Sequence, residues 1–130
     1  MELKGKKVFI TGAGGFIGSH LLETLVKKGC KVTAFIHYNS FNRKGWLDFL
    51  EEGGTDAIEI IPGDIRDSYC VKKSMKNADM VFHLASLIGI PYSYYSPEAY
   101  VNTNIQGTLN VLQSAQELKV KKIVHTSTSE

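Results

Sequence analysis

Three glycines, Gly12, Gly15 and Gly18, follow the apolar run Val8-Phe9-Ile10-Thr11 at three-residue steps. Glycines in such a place act through backbone rather than side chains. Gly12 lets the chain turn sharply off a strand, and Gly15 lets the backbone approach a ligand closely. Gly18 lets the next helix pack tightly on the sheet. The amides that open that helix, around Gly14, Phe16 and Ile17, then face an anion. The pyrophosphate of a dinucleotide suits that geometry. Any tight strand-to-helix turn can use glycine, so the context carries the weight. Here an apolar strand precedes the triplet and an amphipathic segment, Phe16 to about Lys28, follows it. The first gap is one residue longer than in the commonest form of this fingerprint.

Four further groups could serve such a ligand. In Gly63-Asp64-Ile65 the carboxylate can accept from an adenine amino group while the Ile65 amide donates to the ring. The alternative is that Asp64 caps a helix beginning near Ser68 or forms a turn with Gly63, and its position just past the strand favours the adenine role. His83-Leu84-Ala85-Ser86 supplies small residues past which a ribose and phosphates can run, with His83 itself read as a packed strand residue. An NAD site normally carries an acid about 20 residues past the glycines, yet Phe35-Ile36-His37-Tyr38-Asn39 holds no carboxylate. His37, Arg43 and Lys44 could instead meet a 2′-phosphate, which leans the reading toward NADP and leaves NAD open. They also read as a solvated loop. Finally, His125-Thr126-Ser127-Thr128-Ser129-Glu130 sets hydroxyls beside a carboxylate. Thr126 would face a nicotinamide and Glu130 could act as a general base. Alone, the same residues make an ordinary polar loop.

These groups need a scaffold that brings their turns together. Five short apolar runs recur, at Lys7–Thr11, Lys31–Ile36, Ala57–Ile61, Met80–His83 and Lys121–Thr126. Several are continuous rather than alternating, as in a parallel sheet covered on both faces. Helical periodicity fills the gaps at Phe16–Lys28, around Gly45–Glu52, at Ser68–Lys76 and at Pro97–Leu118. In the last, Ala99, Val101, Ile105, Leu109, Leu112, Ala115 and Leu118 recur at helical steps and predict one long helix with a single inward stripe. Asn102 and Asn104 sit awkwardly there; Asn104 could bond backbone of a neighbouring strand, and reads equally as a solvent-facing asparagine. The hydroxyl-rich stretch Ile90–Pro97 reads as a loop, able to line a polar sugar pocket or to pack on the domain's own surface. Alternating strand and helix implies an α/β, doubly wound parallel sheet of the Rossmann kind in the order 3-2-1-4-5. Its ligand crevice lies between the first and fourth strands.

The totals fit this frame. The 130 residues make one domain, 1–130, with 43% hydrophobic and 22% charged residues. A net charge of +2 with scattered lysines gives nucleic acid little purchase. Cys30 and Cys70 lack metal-ligand spacing, so no metal site is expected. No stretch approaches the ~20 apolar residues of a membrane span, and the start is no signal peptide, so the cytoplasm is the expected compartment.

In combination the motifs resemble the extended short-chain dehydrogenase/reductase family, the NAD-dependent epimerases and dehydratases of nucleotide sugars. The resemblance runs through Thr11–Gly18, Gly63–Asp67, His83–Ala85, Asn104-Ile105-Gln106-Gly107-Thr108 and Thr126–Glu130. Ser127–Glu130 looks most like the 4,6-dehydratases, and His37–Asn42 with Gly45–Asp48 resembles a group acting on UDP-N-acetylglucosamine. The resemblance implies that hydride leaves C4 of the hexose for the cofactor, water is lost across C5 and C6, and the hydride returns to C6. By that analogy Glu130 removes the C5 proton, Thr128 bonds the C4 oxygen, and Ser129 positions the departing hydroxyl. It also implies a homodimer and a Tyr-x-x-x-Lys pair, which Tyr92, Tyr94, Tyr95 and Tyr100 do not form. The pair and a substrate domain are therefore expected beyond Glu130, leaving this chain unable to turn over alone. A UDP-glucuronate decarboxylase, a C4 epimerase and a non-catalytic dinucleotide-binding module remain open alternatives.

Overall fold

Five strands, β1 (Lys7–Thr11), β2 (Lys31–His37), β3 (Ile58–Gly63), β4 (Met80–His83) and β5 (Lys122–His125), pair in parallel in the order β3-β2-β1-β4-β5. The computed structural model describes residues 2–50 and 55–128. Register puts Thr11 level with His83, so β1 and β4, which flank the crevice, stop together, while β2 runs two residues past Phe35, the partner of Thr11, to His37.

Alternate residues of the central strands feed two apolar layers, as the two-residue period of a strand requires. Val8, Ile10, Val32 and Ala34 pack with Leu22 and Leu25 of helix α1 (Phe16–Lys27) and with Leu47. Phe9, Phe35 and Val81 pack with Val71 of α2 (Ser68–Ser74) and with Val111 and Ala115 of α5 (Gly107–Glu117). Burying a side chain such as Phe9 completely contributes roughly 1.5–3 kcal/mol, and both layers contain several fully buried ones. The covered β1 reads as a continuous apolar run for this reason.

Three elements differ from the sequence pattern, one of them Ile90–Pro97, expected as a loop and found to hold a short helix over Ile90–Tyr95 with a proline in its first turn. Between β2 and β3 the chain forms short 3-10 turns, Gly45–Phe49 and Thr55–Ala57, instead of a helix around Gly45–Glu52. Leu47 alone anchors the first turn in the core. The third difference concerns Pro97–Leu118. The chain after β4 runs through α3 (Ile90–Tyr95), α4 (Pro97–Tyr100), a π-helical segment (Val101–Gln106) and then α5. The hydroxyl of Thr108 donates back to the Asn104 carbonyl, inside the π segment, at 2.7 Å. The wide π turn changes the phase of everything after it. Val101 and Ile105 within the segment, and Leu109 and Leu112 after it, face outward, at 51%, 64%, 43% and 43% exposure. Gly107, Asn110, Val111, Ser114 and Ala115 form the buried face. The expected inward stripe is therefore corrected to an outward one over four of its residues.

Both cysteines are free; the buried Cys30 donates to the Leu3 carbonyl at 3.3 Å, and burial pushes its thiol pKa up. Among the described residues no helix is long and apolar enough to cross a membrane.

Candidate cofactor site

The helices that follow β1 and β4 leave on opposite faces of the sheet, so a crevice opens at the carboxyl ends of these two strands. Gly12 lines it. Its φ of +70° is left-handed, and a Cβ there would lie 2.8 Å from the Ala85 nitrogen and 2.9 Å from the Leu84 carbonyl carbon. Only glycine lets β1 turn this close to the end of β4. At Gly18 a Cβ would lie 2.2 Å from the Gly12 oxygen, so this glycine seats the helix on the turn itself. Gly15 is different. The nearest atom to its virtual Cβ is the Gly12 oxygen at 3.3 Å, and Gly15 is exposed. It is also the N-cap of α1, with no side-chain cap and no acid in the first turn. The opening amides at Phe16, Ile17 and Gly18 thus lack a capping side chain, the condition under which a helix start holds an anion.

Gly14 turns out to face the chain itself. Its virtual Cβ meets the Lys44 oxygen at 2.9 Å, Trp46 donates its amide to the Gly14 carbonyl at 2.9 Å, and Gly45 has φ +66°. The segment after β2 is therefore stapled onto the glycine turn. Asn39 closes that segment, donating to the Arg43 carbonyl at 2.7 Å and accepting from the Arg43 amide at 3.1 Å. His37 and Arg43 are exposed beside it. The Phe16 ring meets Trp46 edge-on at 5.4 Å and His20 at 4.8 Å.

Under the crevice lies a one-way chain of hydrogen bonds. Thr11 Oγ1 accepts from the Leu84 and Ala85 amides, each at 3.2 Å, so its proton goes to His83 Nδ1 at 2.7 Å. His83 then carries its proton on Nε2 and donates to Thr108 Oγ1 at 2.9 Å, which donates in turn to the Asn104 carbonyl. His83 is 2% exposed, and burial, helped by the stacked His125 ring at 5.2 Å, lowers its pKa to about 4. His83 is a neutral structural histidine that ties β1 and β4 to α5. Asn104 grips the next loop from its side chain, accepting from the Leu87 amide at 2.8 Å and donating to its carbonyl at 2.9 Å. Ser86 lies exposed between these two anchors.

At the end of β3, Arg66 forks onto Asp64, with Nη2 to Oδ2 at 2.5 Å and Nε to Oδ1 at 2.9 Å. The guanidinium holds the Asp64 carboxyl below the usual carboxylate range. Asp64 is not the helix cap. Asp67 caps α2, accepting from the Tyr69 and Cys70 amides at 3.0 and 3.1 Å. Among the described residues the Ile65 amide makes no hydrogen bond, which leaves it open to a ligand beside Asp64. Past β5, the Thr126 amide donates to the His83 carbonyl at 3.1 Å, and Thr126, Ser127 and Thr128 are exposed. Ser129 and Glu130 lie outside the described residues.

The structure thus gathers Gly12 to Gly18, Leu84 to Ser86 and Thr126 along the carboxyl edge of the sheet, with Asp64 and Ile65 at one end. Thr11, Gly45, Thr108 and Asn110 were not singled out by sequence. Their signals were present: a threonine closing an otherwise apolar strand, and an asparagine inside an amphipathic helix. One Tyr-x-x-x-Lys spacing does occur, Tyr69 with Lys73. Both are exposed on α2, which begins past β3 at the opposite edge of the sheet from β5 and Thr126, so the pair does not meet the site.

A family model for GDP-mannose 4,6 dehydratase matches residues 9–130. A UDP-N-acetyl-alpha-D-glucosaminuronate decarboxylase from Bacillus cytotoxicus is 41% identical over 96% of this chain, and 37% of that protein is covered. A UDP-N-acetylglucosamine 4-epimerase from Methanobrevibacter ruminantium M1, solved with UDP-N-acetylmuramic acid, superposes with a TM-score of 0.83 at 33% identity, over 97% of this chain and 39% of that one. The Bordetella bronchiseptica enzyme WbmH, solved with NAD+, gives a TM-score of 0.79 at 31% identity, over 96% and 40%. The chain thus spans about two fifths of the length of these proteins. With the sheet order, the glycine turn and the strand-end loops all in place, this chain belongs to the GDP-mannose 4,6 dehydratase family of nucleotide-sugar epimerases, dehydratases and decarboxylases.

Proposed function

We propose that residues 1–130 form the NAD(P)-binding part of a nucleotide-sugar 4,6-dehydratase acting on UDP-N-acetylglucosamine or a close relative. The observation that carries the cofactor reading is the α1 start: an uncapped helix with no acid in its first turn, opening at the exposed Gly15, in a turn whose Gly12 lies against Leu84 and Ala85. There the Phe16, Ile17 and Gly18 amides hold the pyrophosphate, and Gly12 with Leu84 and Ala85 forms the wall along which the central part of the cofactor runs. Asp64 and the Ile65 amide take the adenine. Ser86, Asn104 and Thr126 shape the nicotinamide end, Asn104 by holding the Leu87 backbone. The cofactor, when bound, accepts hydride from C4 of the sugar and later returns it.

Thr128 is assigned to the C4 oxygen, Glu130 to the C5 proton and Ser129 to the departing C6 hydroxyl. NAD+ bound to the Bordetella neighbour supports NAD. His37, Arg43 and Lys44, where a ribose-binding acid would stand, support acceptance of NADP as well. A second reading, decarboxylation of a UDP-hexuronate through the same 4-keto intermediate, is favoured by the 41% identity with the Bacillus decarboxylase. The outward stripe Val101, Ile105, Leu109 and Leu112 supports a homodimer.

The deciding assay incubates a polypeptide of the relatives' length, carrying this sequence, with NAD+ and either UDP-N-acetylglucosamine or its uronate. Loss of water from the first supports the dehydratase. Release of carbon dioxide from the second, with no dehydration of the first, replaces it with the decarboxylase.

A further inference from the structure

Asn110 is a polar residue placed where α5 should be apolar. It is 3% exposed, next to Val111 and one turn from Ser114 on the buried face of the helix. A buried amide costs free energy unless each of its groups is bonded, and here the bonds all serve one purpose. Asn110 Nδ2 donates to the Ile65 carbonyl at 3.1 Å and to the Arg66 carbonyl at 3.0 Å. Its Oδ1 accepts from Gln106 Nε2 at 3.0 Å, which fixes which way the amide points.

Those two carbonyls belong to the loop that leaves β3, where the sheet ladder has ended. The Asp64 carbonyl is already taken by the Asp67 amide at 3.0 Å. Without Asn110, two consecutive carbonyls beside the Asp64 carboxylate would have no protein donor among the described residues. Gly107, one turn earlier, completes the contact. A Cβ there would lie 2.8 Å from Ile65 Cγ2, so the Ile65 side chain sits in the space that a glycine leaves. The same helix edge holds the end of β4 through Thr108 and His83.

We infer that Asn110, with Gly107, is the positioning residue for the adenine-binding loop: it sets the height of Asp64 and the Ile65 amide relative to the glycine turn. This rests on the cofactor reading above. Asn110 touches no ligand and acts through Ile65 and Arg66. Gripping consecutive carbonyls holds the loop's amides facing the crevice, and a loop so held loses little freedom when a base docks on it.

The test uses Asn110→Leu, of similar size but without donors, and Gly107→Ala, which displaces Ile65 by contact alone. AMP and nicotinamide mononucleotide are titrated separately by NMR into each variant and into the unaltered chain. The expected result is at least a tenfold weaker Kd for AMP in both variants, with the nicotinamide mononucleotide Kd within twofold of the unaltered chain. Asn110→Asp, which keeps the size and the Gln106 contact, covers the case in which the leucine variant fails to fold. Equal losses for both ligands would make Asn110 a general scaffold residue and overturn the inference. So would an unchanged AMP affinity. If the unaltered chain binds neither mononucleotide nor NAD+, the cofactor reading itself falls and takes the inference with it.

Discussion

Acidification from pH 8 to pH 5 is expected to remove about 2 kcal/mol of folding stability through His83 alone. Its folded pKa is about 4 against an ordinary 6.5. Between these values the unfolded chain binds a proton at this position and the folded chain does not, so stability rises with pH through that window. The full effect, 2.5 units at about 1.4 kcal/mol each, is about 3 kcal/mol, complete only below pH 4. The structural cause is specific. Thr11 Oγ1 already accepts from the Leu84 and Ala85 amides, so a proton on His83 Nδ1 would face an oxygen with its lone pairs engaged. Urea unfolding at pH 8, 6.5 and 5 would be compared between the unaltered chain and His83→Gln, which removes the titrating group. The unaltered chain should lose about 2 kcal/mol more than the variant between pH 8 and 5. Parallel curves would refute the reasoning, as would a histidine nitrogen spectrum showing the proton on Nδ1 at pH 7.

Four further outcomes are expected. Gly18→Ala, whose Cβ would lie 2.2 Å from the Gly12 oxygen, should cost about 3 kcal/mol in urea unfolding. Gly15→Ala should cost under about 1 kcal/mol yet weaken NAD+ at least tenfold by calorimetry, because the space it fills lies on the ligand side. Asn104→Ala loses both bonds to Leu87 and should cost about 1–2 kcal/mol, with faster amide exchange at Leu87. Ile105→Glu, on the outward stripe, should leave stability within about 0.5 kcal/mol and lower the sedimentation-measured mass if a dimer forms through that face.

The sheet was legible because its signal is redundant. Buried parallel strands such as Val8–Ile10 are apolar throughout, and each is followed by an independent helical period, so order and strand number followed from alternation. The glycine turn was legible at Gly12, whose positive φ a sharp strand-to-helix turn demands, and at Gly18, whose close contact is with Gly12 in the same short segment. Gly14 was not, because its partner Lys44 lies thirty residues on and no local pattern announces a distant carbonyl. The phase of α5 is not legible in the sequence because a π segment leaves composition unchanged while rotating the face. Asn110 was passed over for a related reason. An asparagine on an apolar face looks like noise in a periodicity count until the two carbonyls that it satisfies are visible.

Calorimetric titration of the folded chain with NAD+ and NADP+ side by side tests the central claim most directly. Saturable one-to-one binding of NAD+, lost on Gly15→Ala while the fold persists, is the predicted result. Failure of the folded chain to bind either dinucleotide would contradict the cofactor site.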